Sequence, residues 1–234
     1  MRQGRHLLVM FAKAPVPGTV KTRLQPPLNP NGAAQLHAAF LLDLAERLLS
    51  GHELPGFTGW LSVAGDTDHP VIAEIGRMGI QIVAQRGSDL GDRMACAIED
   101  GLAAGFETVT LIGSDSPTLP ADLVTDAVAR LETADVVFAP TFDGGFALVS
   151  AKVPIEAMRA DIAWSTEMTL VETIRAVADS KLLGDVVGFW YDIDQAQDLE
   201  FLSRHLLGVL GSRSTGLAPR TAGWLVEHGW NVTS

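Results

Sequence analysis

The sequence predicts an α/β fold, a mostly parallel central sheet with helices on both faces, and three observations carry that expectation. Short β-rich apolar runs alternate with longer stretches of helical periodicity, the pattern of successive βαβ units. The chain has 234 residues, enough for one sizeable α/β domain and too few for two full ones. Its 47% hydrophobic and 19% charged residues match a compact globular protein, and neither a disordered chain nor a coiled coil.

His6 to Ala12, HLLVMFA, is the first expected strand, and it empties into a loop of Pro, Gly, Lys and Arg. Leu36, Phe40, Leu44 and Leu48 recur at helical spacing over 33–49, with Gly51 to end the helix. Strand 59–63 follows, then helix 70–78 with Asp68 as its cap and Gly79 as its stop, then strand 80–84. The polar loop QRGSDLGDR feeds a helix over 92–104. Strand 108–112 is short and wholly buried in character, and runs straight into GSDSPTLP. A helix over 121–131, a strand over 136–139, the turn DGG and a strand over 146–149 complete the middle of the chain. In the last third, Ser165 or Thr166 caps a helix over 168–178, Gly188 to Tyr191 reads as the final strand, DID follows, and 196–207 is helical. From Gly208 onward Gly, Ser and Pro are frequent, although Trp224, Leu225, Val226 and Trp230 could still dock. NVT at Asn231 matches a glycosylation sequon and, with no secretion signal beside it, carries no weight.

The formal charge is −11, which argues against nucleic-acid binding. The sign is uneven. Arg2, Arg5, Lys13, Lys21 and Arg23 place +5 ahead of Asp43, the first acidic residue, and leave −16 on the remainder. A small basic island in an acidic protein suits a compact polyanion such as a nucleotide, and the acidic remainder suits a divalent cation. The single cysteine, Cys96, excludes an intramolecular disulfide and a cysteine-based zinc site. HLLVMFAKAP lacks the features of a signal peptide, and no run approaches the ~20 apolar residues of a membrane span, so the expectation is a soluble cytoplasmic protein. The oligomeric state is not legible.

In a parallel α/β sheet, ligands bind beyond the carboxyl ends of the strands, so the polar groups after each strand are the candidates. After the first come Lys13, Lys21 and Arg23, on a backbone stiffened by Pro15, Pro17 and Gly18. After the third come Gln85, Ser88, Asp89 and Arg93, where Gln85 and Arg93 could contact a base or phosphate and Asp89 could cap a helix. After the fourth come Ser114 and Asp115; after the fifth, Asp143, Gly144 and Gly145; after the last, Asp192 and Asp194. Asp115 could hold Mg²⁺ against phosphate oxygens, with Asp192 or Asp194 as a second carboxylate on the same ion. The competing assignment makes Asp115 and DID helix caps. GSDSP lacks the GxSxG elbow, so a serine hydrolase is not expected, and the histidines show neither zinc nor triad spacing. Trp164 is either core or a stacking wall.

FAKAPVPGTVKTRL, QRGSDLGDRM, GSDSPTLP, DGGFAL, WST and DID, in this order and spacing, resemble the bacterial family DUF2064, often described as glycosyltransferase-like. That family is similar to molybdenum-cofactor nucleotidyltransferases and phospholactate guanylyltransferases. The resemblance covers about Arg5 to Leu207, which divides the chain into a nucleotide-diphospho-sugar transferase-like domain, 1–207, and an appended C-terminal tail, 208–234. It implies a GT-A-type fold with nucleotide at the carboxyl edge of the sheet. It also implies that Lys21 and Arg23 contact phosphates, that Asp115 binds Mg (or Mn) with Asp192 or Asp194, and that Gly144 and Gly145 line the substrate side. Two departures stand out: a proline-containing loop replaces the glycine-rich opening of related nucleotidyltransferases, and SDS at the fourth strand carries one carboxylate where a DxD would carry two.

The expected partners are therefore a nucleotide and a small-molecule acceptor. The expected catalytic set is Lys21, Arg23 and Asp115. Lys13, Pro17, Gly18, Gln85, Asp89, Arg93 and Ser114 form the nucleotide-binding set, and Asp143, Gly144, Gly145 and Trp164 the substrate-binding set. Three readings follow: a Mg-dependent nucleotidyltransferase releasing pyrophosphate, a glycosyltransferase using a nucleotide-diphospho-sugar, and a nucleotide-binding protein without turnover.

Overall fold

The structure is a computed structural model that describes residues 5–208 and 216–230; Asn231 and its sequon lie outside the described residues. Seven strands form one sheet: β1 (His6–Lys13), β2 (Phe57–Ala64), β3 (Gln81–Ala84), β4 (Thr108–Gly113), β5 (Val136–Pro140), β6 (Phe146–Ala151) and β7 (Gly184–Val186). Their order is β3-β2-β1-β4-β6-β5-β7. Only β6 runs antiparallel to its neighbours β4 and β5, because the short turn 141–145 returns the chain beside β5. The remaining pairs are parallel. The expected mostly parallel sheet is what these residues build.

The helices are α1 (Pro30–Leu44), α2 (Pro70–Arg77), α3 (Leu90–Ala103), α4 (Ala121–Arg130), α5 (Thr169–Asp179), α6 (Ala196–Leu207) and α7 (Pro219–Glu227). The central strands are continuous apolar runs because both of their faces are covered. Successive side chains alternate between faces. Leu7, Val9 and Leu111 join one core with Met94 and Ile98 of α3, and Leu8, Met10 and Ile112 join another with Leu41 and Leu44 of α1 and Val124 of α4. A third cluster packs Leu36 and Phe40 of α1 against Leu199 and Leu202 of α6 and Trp224 and Leu225 of α7. The described C-terminal residues are thus docked on α1.

That docking has a specific anchor. The buried Asp43 carboxylate accepts from the Arg220 and Thr221 amides at 3.0 and 2.9 Å and from the Thr221 hydroxyl at 2.7 Å. It caps the start of α7 from across the fold, where Pro219 has no amide to satisfy. Of the four tail residues expected to dock, Trp224 and Leu225 are buried, Trp230 packs alongside, and Val226 faces solvent.

Three local expectations are corrected, and the choice between Ser165 and Thr166 is resolved. Asp68 does not cap α2; His69 Nδ1 accepts from the Val71 amide at 3.3 Å. Helix α1 does not run unbroken to Leu49, but opens into a wider turn over Ala45–Leu49. Thr166, not Ser165, accepts from the Met168 amide ahead of α5. Gly188 to Tyr191 is not a strand: β7 lies earlier, and the later segment only touches β5 through Val187 N to Phe138 O at 2.9 Å and Trp190 N to Pro140 O at 3.1 Å. It then crosses the carboxyl edge of the sheet, which delivers Asp192 and Asp194 to the mouth of the site. No helix among the described residues is long and apolar enough to cross a membrane.

Candidate active site

A cavity of about 490 Å³ opens at the carboxyl edge of the sheet, where β1 and β4 end side by side. The loop after β1 forms one wall. Lys21 adopts a left-handed backbone, φ 49°, and its side chain is only 4% exposed. The ammonium lies 2.7 Å from Asp115, 2.5 Å from the Ile193 carbonyl and 3.3 Å from Asp194. Lys21 therefore ties the first loop both to the turn after β4 and to the segment before α6. Burial disfavours the Asp115 carboxylate, and the adjacent Lys21 overrides it, holding Asp115 below the usual carboxylate range. Arg23 reaches Asp194 at 3.3 Å while its side chain stays 64% exposed, so its guanidinium remains accessible to a ligand.

Neither Asp115 nor the DID aspartates cap a helix. Helix α4 begins after Pro120 without a side-chain cap, and α6 is capped by the reciprocal pair Gln195 and Asp198. Asp143, Asp192 and Asp194 instead converge, with carboxylate oxygens all within 4.8 Å of one another. Burial, followed by repulsion from Asp143, Asp194 and Asp115, pushes Asp192 up to about 6. Oxygen donors crowded until their charges oppose one another are a donor set that fits a hard divalent cation. The expected pair Asp192 and Asp194 is therefore together, but the third carboxylate beside them is Asp143, while Asp115 faces Lys21.

This has a measurable consequence. Between the unfolded value near 3.8 and about 6, folded Asp192 holds more protons than the unfolded chain, so stability falls as pH rises through that window. Asp192→Asn is expected to raise cation-free stability near neutral pH by about 1–2 kcal/mol, discounted for partial exposure. The gain should vanish below about pH 4. Thermal melts across pH check this; equal melting temperatures near neutrality would refute it.

The family model described as an uncharacterized protein conserved in bacteria, DUF2064, matches residues 50–166, half of the chain. The chain belongs to this family. A phosphoenolpyruvate guanylyltransferase of Geodermatophilus obscurus is 28% identical over 209 residues, covering 88% of this chain and 87% of that protein. A candidate nucleotide-diphospho-sugar transferase structure from Desulfovibrio desulfuricans G20 superposes with TM-score 0.82 at 27% identity, over 98% of this chain and all of the other. A cytidylyltransferase from Leptospira borgpetersenii serovar Hardjo-bovis shares the fold alone, with TM-score 0.59 at 12% identity over 99% and 98% of the two chains. The fold is thus of the nucleotide-diphospho-sugar transferase type, and the transferase expectation agrees with these relatives.

In this DUF2064 chain the cavity gathers most of the expected residues: Lys13, Lys21 and Arg23, Gln85 and Arg93, Ser114 and Asp115, Asp143 and Asp194. Pro17 and Gly18 do not line it; they shape the turn in which the Thr19 amide donates to Val16 O at 3.1 Å. Asp89 caps α3, accepting from the Asp92 amide at 2.9 Å. Gly145 and Trp164 line a second, adjoining chamber. Gly144 lines neither. At φ 90° it lies against Glu167, whose carbonyl would stand 2.1 Å from any Cβ there, and its own carbonyl accepts from the Leu170 amide at 2.9 Å. Gly144 thereby pins the turn that carries Asp143 to the start of α5.

Sequence reasoning missed Thr19, Thr22, His37 and Ser165, all in the cavity wall. His37 carried the one available signal, a polar residue on the apolar stripe of α1 between Leu36 and Phe40. It is buried, and desolvation lowers its pKa below the usual value, favouring neutral imidazole. Its Nε2 lies 3.2 Å from the Lys13 carbonyl, which can only accept, so Nε2 carries the proton and braces the end of β1.

Proposed function

We propose that this protein is a Mg- or Mn-dependent nucleotidyltransferase that joins a nucleoside triphosphate to a phosphorylated small-molecule acceptor and releases pyrophosphate. The observation that carries the reading is the single cavity in which the cations Lys13, Arg23 and Arg93 face the carboxylates Asp115, Asp143 and Asp194. A triphosphate needs the first set. A divalent cation held by Asp143, Asp192 and Asp194, with Asp115 on the opposite side of Lys21, would draw charge from the phosphate oxygens.

The chain's own residues would do the rest by placement and charge. Arg23, with its exposed guanidinium, and the half-buried Arg93 hold the phosphates. Gln85 is anchored by its amide donating to Ser62 O at 3.0 Å, which leaves its carbonyl oxygen for a base. Lys21 keeps Asp115 ionised and fixes Asp194. An acceptor phosphate oxygen then attacks the α-phosphorus, the bond to the β-phosphate oxygen breaks, and pyrophosphate leaves toward the basic loop. The guanylyltransferase relative supports this reading.

The likeness to a candidate nucleotide-diphospho-sugar transferase supports a second reading, glycosyl transfer from a nucleotide sugar. Product analysis separates the two. Incubation with the four nucleoside triphosphates, Mg²⁺ and phosphorylated acceptors should release pyrophosphate; nucleoside diphosphate formed from a nucleotide sugar would replace the assignment. Nucleotide-induced thermal stabilisation without any product would leave a binding protein.

A further inference from the structure

The polar cavity continues into a second chamber of about 200 Å³ whose chemistry is different. The two share Phe11, Leu90, Gly113, Asp143 and Ser165, so they meet at the proposed cation site. Beyond that junction the walls are Met94, Leu111, Phe146, Leu148 and Trp164. Trp164 packs against α3, where Gly91 leaves it room: a Cβ at Gly91 would stand 2.4 Å from the indole. Among the described residues, no lysine, arginine or histidine lines this chamber.

Beyond the junction, the threonines of its wall are already engaged. The Thr166 and Thr169 hydroxyls donate to Ala163 O at 2.8 and 2.9 Å. Asp143 Oδ1 accepts from the Thr141 hydroxyl at 2.5 Å and the Gly145 amide at 3.0 Å. A sugar entering beyond the junction would lose water from its hydroxyls with few partners in return. A second anionic group beyond the junction would find no lysine, arginine or histidine in the wall to offset it.

We infer that the acceptor is a phosphomonoester of an apolar alcohol, its phosphate at the Asp143–Ser165 junction and an aryl or branched-alkyl body of about five to ten heavy atoms in the chamber. The inference rests on the nucleotidyltransferase reading for the role of the phosphate, and on the chamber alone for the body. It sets this chain apart from a phosphoenolpyruvate-using relative, whose acceptor carries a carboxylate that this chamber does not neutralise.

The test is equilibrium binding of phenyl phosphate, 3-methylbutyl phosphate, glucose 1-phosphate and phosphoenolpyruvate to the full chain, by calorimetry with Mg²⁺, for wild type and Met94→Trp. The two apolar esters should bind about tenfold or more tightly than the polar pair. Met94→Trp fills the chamber and should erase that preference while leaving any nucleotide-induced melting shift unchanged. Equal or reversed affinities in wild type, or no binding of the apolar esters, overturn the inference, and the wild-type series stands even if the variant does not fold. A preference that survives in folded Met94→Trp overturns it as well. Apolar preference with no nucleotide shift would instead sink the nucleotidyltransferase reading and leave the chamber assignment standing.

Discussion

Lys21→Ala is expected to abolish most turnover, lowering pyrophosphate release by about 10²–10³-fold, the range for loss of one well-placed electrostatic group. The geometry makes the loss compound. One ammonium contacts Asp115, Ile193 O and Asp194, so its removal leaves a carboxylate unpaired, a carbonyl without its donor and Asp194 without its tether. Part of the effect will therefore appear as stability, about 2–4 kcal/mol, because breaking a largely buried pair strands the remaining partner. Lys21→Arg should not restore function: the left-handed backbone and the Phe40 ring 5.8 Å below the ammonium leave a slot for a compact point charge and no room for a planar fork. Arg23→Ala supplies the contrast. Its exposed guanidinium has one long contact, so it should raise the KM for nucleotide with little change in melting temperature. Wild-type turnover in folded Lys21→Ala, measured by pyrophosphate release, would remove Lys21 from the mechanism.

How much of this was legible in the sequence depends on whether a feature is local. The parallel core was legible because strands buried on both faces read as continuous apolar runs, and β4 is such a run. The polar residues after β1, β3 and β4 were legible for the same reason, since a strand end fixes where its loop begins. Gly188 to Tyr191 misled because aromatic residues favour strands as a packing preference, while within that stretch only the Trp190 amide bonds β5, at Pro140 O. The grouping of Asp143 with Asp192 and Asp194 was hidden for a related reason. It forms only when the turn pinned by Gly144 on Glu167 and the irregular segment after β7 meet over the sheet edge, and neither contact leaves a periodic trace. Asp43 likewise read as one acidic residue in a helix, although its partners lie 177 and 178 positions away.

Arg47 is the strongest such case, and its replacement should produce the largest purely structural loss. It sits among leucines at the wide turn ending α1, and its buried guanidinium holds four oxygens: both of the Glu53 carboxylate, at 2.8 and 3.0 Å, and the carbonyls of Pro117 and Leu119, each at 3.1 Å. Those carbonyls belong to the loop that descends from Asp115 into α4, so Arg47 clamps the back of the turn carrying Asp115 while not lining the cavity. Arg47→Met keeps the apolar stem and removes the fork. Two carbonyls and a partly buried carboxylate then lose their donors, and the expected cost is about 3 kcal/mol. In a chain of this size that corresponds to a melting temperature lower by about 6–12 °C. Arg47→Lys should recover little, because one ammonium cannot span a carboxylate and two carbonyls arranged for a planar donor. Adding Glu53→Gln to Arg47→Met should return part of the stability by removing the stranded charge, which a double-mutant cycle reads directly. A melting temperature for Arg47→Met within 2 °C of wild type would show that the loop carrying Asp115 is held by its own packing and not by this clamp.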